Sequence, residues 1–237
     1  MFNTDSSIKQ NSILILANDT ISIKNFRIDM IRCFISYGYY VIVAAPGTKY
    51  ISDIEKTGAL FLNVNYKKAS INIIHDLSIL IVYIKIIIKY RPTKIFAYNL
   101  KPILYGMLAC VITKHKDNYC LIPGAGYLFS LDGMAKILFN LVLPLYRFSL
   151  SKAKTVKFQN NEDKDEFIKL RLVKEVRTMV VQGSGINLEH FKIVDIPDKI
   201  SFFHLGRLLT VKGIIDFCEA AKIIRRQYGD VQFHVAG

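Results

Sequence analysis

Short, wholly apolar runs of five to six residues recur along this chain, separated by longer stretches with helical periodicity. The first is "SILIL" at residues 12–16, closed by the polar "AND". A run apolar at consecutive positions cannot be a strand with one wet face. It suits a strand buried on both sides of a parallel sheet. Next, residues 25–39 ("NFRIDMIRCFISYGY") place Phe26, Met30, Cys33, Phe34 and Tyr37 at helical spacing before Gly38, and "YVIVAAPG" follows as a second strand. Strand, helix, strand in that order requires a crossover and therefore parallel pairing.

The alternation continues. Strands are expected at 59–64, 93–99 and 154–160, stretches 118–129 and 176–185 each read as a strand running into a glycine turn, and helices are expected at 71–90, 102–113, 134–153 and 162–173. Pro144 inside the 134–153 stretch predicts a kink or break. The polar segment 192–200 reads as a linker. Beyond it, "SFFHLGR", "VKGIIDFCEAAKIIRRQY" and "VQFHVAG" spell one further strand–helix–strand unit. The expected fold is α/β: a doubly wound, Rossmann-like domain at 1–197, then the opening βαβ unit of a second domain at 198–237. One such unit buries too little to stand alone.

Composition narrows the partners. The 237 residues are 51% hydrophobic, ample for a large core, and carry 32 Lys and Arg against 19 Asp and Glu, a net charge of +13. Such a surface attracts anions. No arginine stripe or zinc-finger spacing is present, so a membrane surface or a phosphate-bearing substrate is favoured over nucleic acid. Cys33, Cys110, Cys120 and Cys218 form no C-x-x-C pair, and buried reduced thiols in a reducing cytoplasm are expected. The N-terminus lacks the layout of a signal peptide. The greasy stretch 71–90 holds His75, Asp76, Lys85 and Lys89, which reads as a helix packed on a sheet rather than a spanning one. His75, His115, His190, His204 and His234 show no metal-ligand spacing.

In a parallel sheet, ligands gather at the carboxyl ends of the strands. The loops there begin at Asn18, Pro46, Asn99, Pro123, Asn160, Gly183 and Leu205. In "PGAGY", Gly124 and Gly126 let backbone approach a ligand closely, although G-x-G also occurs in ordinary turns. In "GRLLTVKG", Gly206 frees the turn, Arg207 supplies a planar charged fork and Lys212 a point charge, beside a helix start at Gly213. A diphosphate bridging Arg207 and Lys212 is the functional reading; two solvated cations on a surface loop are the plain one. No G-x-G-x-x-G follows the first strand, which argues against a dehydrogenase.

These residues carry a resemblance. "FHLGRLLTVKGIIDFCEAAKII" with "VQFHVAG" resembles the opening of the second domain of retaining glycosyltransferases of family 4, which have the two-domain GT-B architecture. "IPGAGYLF", "PLYRFSLSKAKTVKFQNNED" and "QGSGINLEHF" resemble, in order, segments of that family's first domain. "NLKPILYGMLA" is similar to a Lys-Pro-x-x-x-Gly segment of the subgroup that makes bacterial surface polysaccharides, such as capsule and O-antigen. The resemblance implies transfer of a sugar, with retention, from a nucleotide-sugar donor (UDP-linked) to a lipid-linked saccharide at the inner face of the cytoplasmic membrane. It implies no cofactor and no metal. Gly206, Arg207 and Lys212 would hold the donor diphosphate. Gly124, Gly126 and Tyr127 would form the glycine loop lining the cleft, and Asn18, Asn99 and Lys101 would lie on the acceptor side. No catalytic base is assigned: where the family often has a His, this chain has Asn99. The family's donor half continues well past Gly237. The expectation is therefore a C-terminally truncated chain, or the acceptor and membrane-binding half of a two-chain enzyme needing a second chain, and inactivity in isolation.

Overall fold

The structure, a computed structural model, describes residues 11–66, 73–125, 133–196 and 198–237. The chain divides into two units, residues 1–186 and 187–237.

The first unit alternates as expected: β1 (Ser12–Leu16), α1 (Thr20–Phe26), α2 (Ile28–Ser36), β2 (Tyr40–Ala45), α3 (Ile51–Glu55), β3 (Leu60–Asn63), α4 (Ile73–Tyr90), β4 (Lys94–Tyr98), α5 (Leu100–Ile112), β5 (Asn118–Ile122), α6 (Gly133–Lys152), β6 (Thr155–Phe158), α7 (Asn161–Lys169) and β7 (Thr178–Val180). The strands form one seven-stranded parallel sheet in the order β3-β2-β1-β4-β5-β6-β7. Winding outward in both directions from β1 and β4 puts the topological switch between those two strands. The pairing of β1 with β4 is reinforced at its amino end: Ser12 N donates to Thr93 Oγ1 (3.0 Å), Thr93 Oγ1 to Ser12 O (2.7 Å) and Thr93 N to Ser12 Oγ (3.2 Å).

The two faces of the sheet make two cores. Ile13, Ile15, Val41 and Val43 pack with Ile23, Ile28 and Ile31 of α1 and α2. Leu14, Leu16, Ile42, Ile95 and Phe158 pack with Tyr83, Met107, Tyr146 and Phe167 of α4 to α7. Leu14, Ile15 and Leu16 are all fully buried, which explains the unbroken apolar run of β1. Gly106 lets α5 lie against β1: a Cβ there would stand 2.6 Å from Leu16 Cδ1.

The structure corrects several details. Residues 25–39 do not form one helix but the end of α1 and all of α2, and the expected apolar face is only partly the packed one: Met30 and Phe34 lie against the core, whereas Cys33 is exposed. Phe26 and Tyr37 are 57% and 76% exposed, while Ile23, Ile28 and Ile31 face the sheet. α3 was not anticipated. α6 runs uninterrupted through Pro144, which lies on its exposed side, where water can satisfy the carbonyl left without its amide partner. Only Cys110 and Cys120 are buried; Cys33 and Cys218 are exposed.

The second unit holds β8 (Ser201–Leu205), α8 (Ile214–Gln227) and β9 (Gln232–Ala236), with β8 and β9 paired in parallel. Phe202 and Phe233 stack at 5.3 Å and Phe217 meets Phe233 edge-on at 5.9 Å. None of its three elements has a fully buried residue, and Phe203 and Leu205 are 61% and 76% exposed.

Candidate functional site: the carboxyl edge of the parallel sheet

At the switch point, Asp19 caps α1: its Oδ1 accepts from Ser22 N at 2.6 Å. Ser22 Oγ lies 3.2 Å from Tyr98 Oη at the end of β4, so the loop after β1 is tied to its neighbour strand. Asn18 is half-buried between these loops. Tyr66, from the segment after β3, reaches across to donate to the Ala17 carbonyl (2.8 Å), with Asn18 Oδ1 and Tyr83 Oη at 3.5 and 3.4 Å. Burial, and secondarily Tyr83, raises the Tyr66 phenol far above the ordinary range, so it stays a neutral donor. The loop after β2 closes tightly here: at Gly47, with φ of 149°, a Cβ would fall 2.4 Å from Thr20 Oγ1.

Across the switch, Asn99 opens α5 in a left-handed φ of 71° and makes no side-chain cap. With ψ at 160° this is not the αL basin that Asn favours but a region that is essentially glycine's, so the backbone at Asn99 is strained. Lys101, two residues on, does not face solvent. Its Nζ is buried and donates to Asp76 Oδ1 at 2.7 Å, while Tyr105 Oη donates to Asp76 Oδ2 at 3.3 Å. Burial, with the Asp76 charge behind it, pushes the Tyr105 phenol up to about 12. The pair joins α4 to α5, so Lys101 shapes this wall of the edge.

After β5, Gly124 is exposed, with open space where a side chain would stand, and its backbone is not left-handed. Ala125 N donates to Asp163 Oδ2 at 3.0 Å, and Asn160, the cap of α7, donates to the same oxygen through Nδ2 at 3.0 Å. The glycine turn is thereby fixed to α7. Gly126 and Tyr127 lie outside the described residues.

The loop after β7 brings in Arg27, which the sequence did not single out. Arg27 is 6% exposed, its guanidinium 5.1 Å from the Tyr98 ring centre, and Nη1 donates to Phe26 O (2.9 Å) and Ser184 Oγ (2.8 Å). Gln159 Nε2 donates to the same hydroxyl at 3.0 Å. Nε of Arg27 is buried without a partner, and burial lowers the guanidinium below its usual range. Within α1–α2, the signal that could have marked it is an Arg amid apolar positions facing the sheet.

In the second unit, Arg207 and Lys212 are both exposed. Their loop is braced by Leu209 N to Arg207 O (2.7 Å) and Lys212 N to Leu209 O (2.8 Å). The left-handed glycine is Gly213 (φ 74°), at the N-terminus of α8, and not Gly206. Gly213 offers no side-chain cap, which leaves the first-turn amides of α8 available to an anion. Among the described residues no cluster of His, Cys, Asp or Glu has a metal-binding arrangement.

The strand order, the helices on both faces and the polar loops at the switch point define a Rossmann-like α/β fold of the kind found in GT-B glycosyltransferases. No protein-family model matches the chain. Among curated proteins it is similar to the N,N'-diacetylbacillosaminyl-diphospho-undecaprenol alpha-1,3-N-acetylgalactosaminyltransferase of Campylobacter jejuni, with 25% identity over 219 residues. That match takes in 86% of this chain, which spans only 58% of the relative's length. In fold it is similar to a glycosyltransferase from Rickettsia africae (TM-score 0.65, 15% identity, 96% of this chain and 68% of that one). It is also similar to a sucrose-phosphate synthase from Thermosynechococcus elongatus (0.66, 13%, 96% and 62%) and to a UDP-GlcNAc 2-epimerase from Neisseria meningitidis bound to UDP-GlcNAc (0.61, 12%, 95% and 65%).

Proposed function

We propose that this chain belongs to a glycosyltransferase that moves a sugar from a UDP-linked donor to a lipid-linked saccharide in bacterial surface-polysaccharide synthesis, working at the inner face of the cytoplasmic membrane. The observation that carries the reading is the sequence similarity along 86% of the chain to a transferase named for a diphospho-undecaprenol-linked acceptor. The UDP-GlcNAc 2-epimerases share the fold, so fold alone does not choose between them; the sequence similarity favours transfer.

In this reading the carboxyl edge of the first unit receives the acceptor, with Asn18, Asn99 and the Gly124–Ala125 backbone lining it. Lys101 is a positioning residue, neutralised by Asp76. Arg207, Lys212 and the uncapped start of α8 meet the donor diphosphate. Positive charge there stabilises the departing nucleotide, where negative charge grows as the glycosidic bond breaks. Transfer then proceeds on the face the nucleotide leaves, the departing phosphate takes the acceptor proton, and the anomeric configuration is retained. No metal is required.

Two exposed cations on a unit without a fully buried residue supply little of that stabilisation. Residues 1–237 alone are expected to bind acceptor but turn over poorly. A second reading, in which this chain is the acceptor half of a two-chain transferase, is favoured by the same exposure of the second unit's apolar residues. The test is incubation with radiolabelled UDP-N-acetylhexosamines and polyprenyl-diphosphate saccharides, with acceptor binding followed by NMR. Acceptor binding with little transfer supports the proposal. Conversion of the free UDP-sugar without acceptor would replace it with epimerisation, and a chain that binds no acceptor would overturn it.

A further inference from the structure

Helices α4, α5 and α6 lie side by side on one face of the sheet, α5 between the other two. Their inner residues fill the larger core. Their outer residues are not those of an ordinary wet surface. On α4 the exposed stripe is Leu77, Ile81, Lys85 and Ile88, with the exposed Lys89 beside it; Leu77, Ile81 and Ile88 are 53%, 47% and 59% exposed. On α6, Leu141, Leu145 and Phe148 are 72%, 43% and 43% exposed, and Lys152 holds its ammonium 4.7 Å from the Phe148 ring centre. The spacing of four between Leu77, Ile81 and Lys85, and between Leu141 and Leu145, lines these residues up on single ridges.

The charge is one-sided. Asp76 is the sole carboxylate in the sequences of the three helices, and it is buried against Lys101. The outer face therefore presents aliphatic and aromatic side chains ringed by ammonium groups, with no acid from its own helices. Large exposed apolar patches on a protein surface mark interaction sites. No helix among the described residues is long and apolar enough to cross a membrane.

We propose that the outer face of the α4–α5–α6 layer docks the chain on a bilayer rich in anionic phospholipid. Leucine, isoleucine and phenylalanine enter the boundary between headgroups and acyl chains, while lysines snorkel to the lipid phosphates. Charge selects this occupant over a second copy of the chain. A two-fold contact through this face would set Lys85 and Lys152 against their own copies, with no exposed carboxylate contributed by the three helices. The proposal deepens the lipid-linked acceptor reading by naming the surface that would hold the chain beside its acceptor, but its test contains no sugar.

The test is flotation of the full chain with vesicles of phosphatidylcholine alone, or of phosphatidylcholine with about a third phosphatidylglycerol, the source of surface charge. Expected is binding to the anionic vesicles only, weakened by salt. Ile81→Glu with Leu141→Glu, and separately Lys85→Glu with Lys89→Glu, should each lower binding by about tenfold or more. Arg225→Glu with Arg226→Glu, which makes the same change in net charge on α8, should change it less than about twofold. Circular dichroism and thermal melts establish that each variant is folded, and the exposed lysine pair carries the test if the apolar pair is not. Wild type failing to float would overturn the proposal, as would equal loss in the α8 control. So would a dimer in sedimentation analysis that Ile81→Glu with Leu141→Glu dissolves while vesicle binding persists.

Discussion

Lys101 and Asp76 exchange hydration for a charge-assisted bond of 2.7 Å in a setting where each side chain is about nine-tenths buried. A buried pair of this kind is costly to break from one side and cheap to remove whole. Lys101→Met is expected to cost about 3–5 kcal/mol by leaving the carboxylate with Tyr105 alone. Asp76→Leu added to it should recover most of that loss, read from urea denaturation; a single variant within about 1 kcal/mol of wild type would sink this account. At the opposite edge of the sheet Asp117 sits in wetter company. It accepts from Lys154 and Lys94, each at 2.7 Å, and from Tyr119 at 2.9 Å, and these bonds, Lys154 first, hold its carboxyl far below the usual range. A lowered folded-state pKa contributes stability that is present above the unfolded value of about 4 and fades as pH falls below it. The melting temperature of Asp117→Asn should therefore lie below wild type at pH 7, with a gap that starts to narrow below about pH 4 and closes only as pH falls on towards the lowered folded-state value. A constant gap across that range would refute the linkage.

The elements were legible where a single rule dominated. Strands buried on both faces announce themselves by unbroken apolar runs, so β1, β2, β4 and β5 and their parallel direction, though not their order in the sheet, followed from residues 12–122. Amphipathic faces were harder. Across α1, α2 and their ends the apolar residues occupy more of the circumference than the sheet can cover, so periodicity alone could not separate the exposed Phe26, Cys33 and Tyr37 from the buried Ile23, Ile28 and Ile31. The same ambiguity on a larger scale hid the outer ridges of α4 and α6, whose apolar residues look like core until the sheet is seen to be already covered. At the carboxyl edge, the places of the loops after β1, β4, β5 and β7 could be read from their positions in the chain alone. Arg27, Asp76 and Asp163 were missed because their partners lie 157, 25 and 38 residues away, and no local pattern links them. α7 shows what one inward residue contributes. Phe167 is fully buried and meets Phe158 edge-on at 5.2 Å. Phe167→Ala should cost about 3–5 kcal/mol in chemical denaturation and loosen the Asp163 brace on the glycine turn, seen as faster amide exchange at Ala125.

For the molecule as a whole, the reading as a transferase without a metal makes a sharp expectation. Adding EDTA should leave the affinity for UDP, followed by NMR line broadening, unchanged, whereas Arg207→Ala with Lys212→Ala should weaken it by about tenfold or more, as the loss of two phosphate contacts implies. A requirement for Mg²⁺ or Mn²⁺ would transfer the diphosphate role from these side chains to an ion.

The clasp between Ser12 and Thr93 also sets an order of events during synthesis. Those partners are 81 positions apart, and β1 has no neighbour on that side until β4 exists. At about 5–20 residues per second, a ribosome needs roughly 4 to 16 s to make the intervening chain. For that interval the greasiest strand of the protein has one edge unpaired, and the nascent polypeptide is a natural client for whatever chaperones guard the exit tunnel.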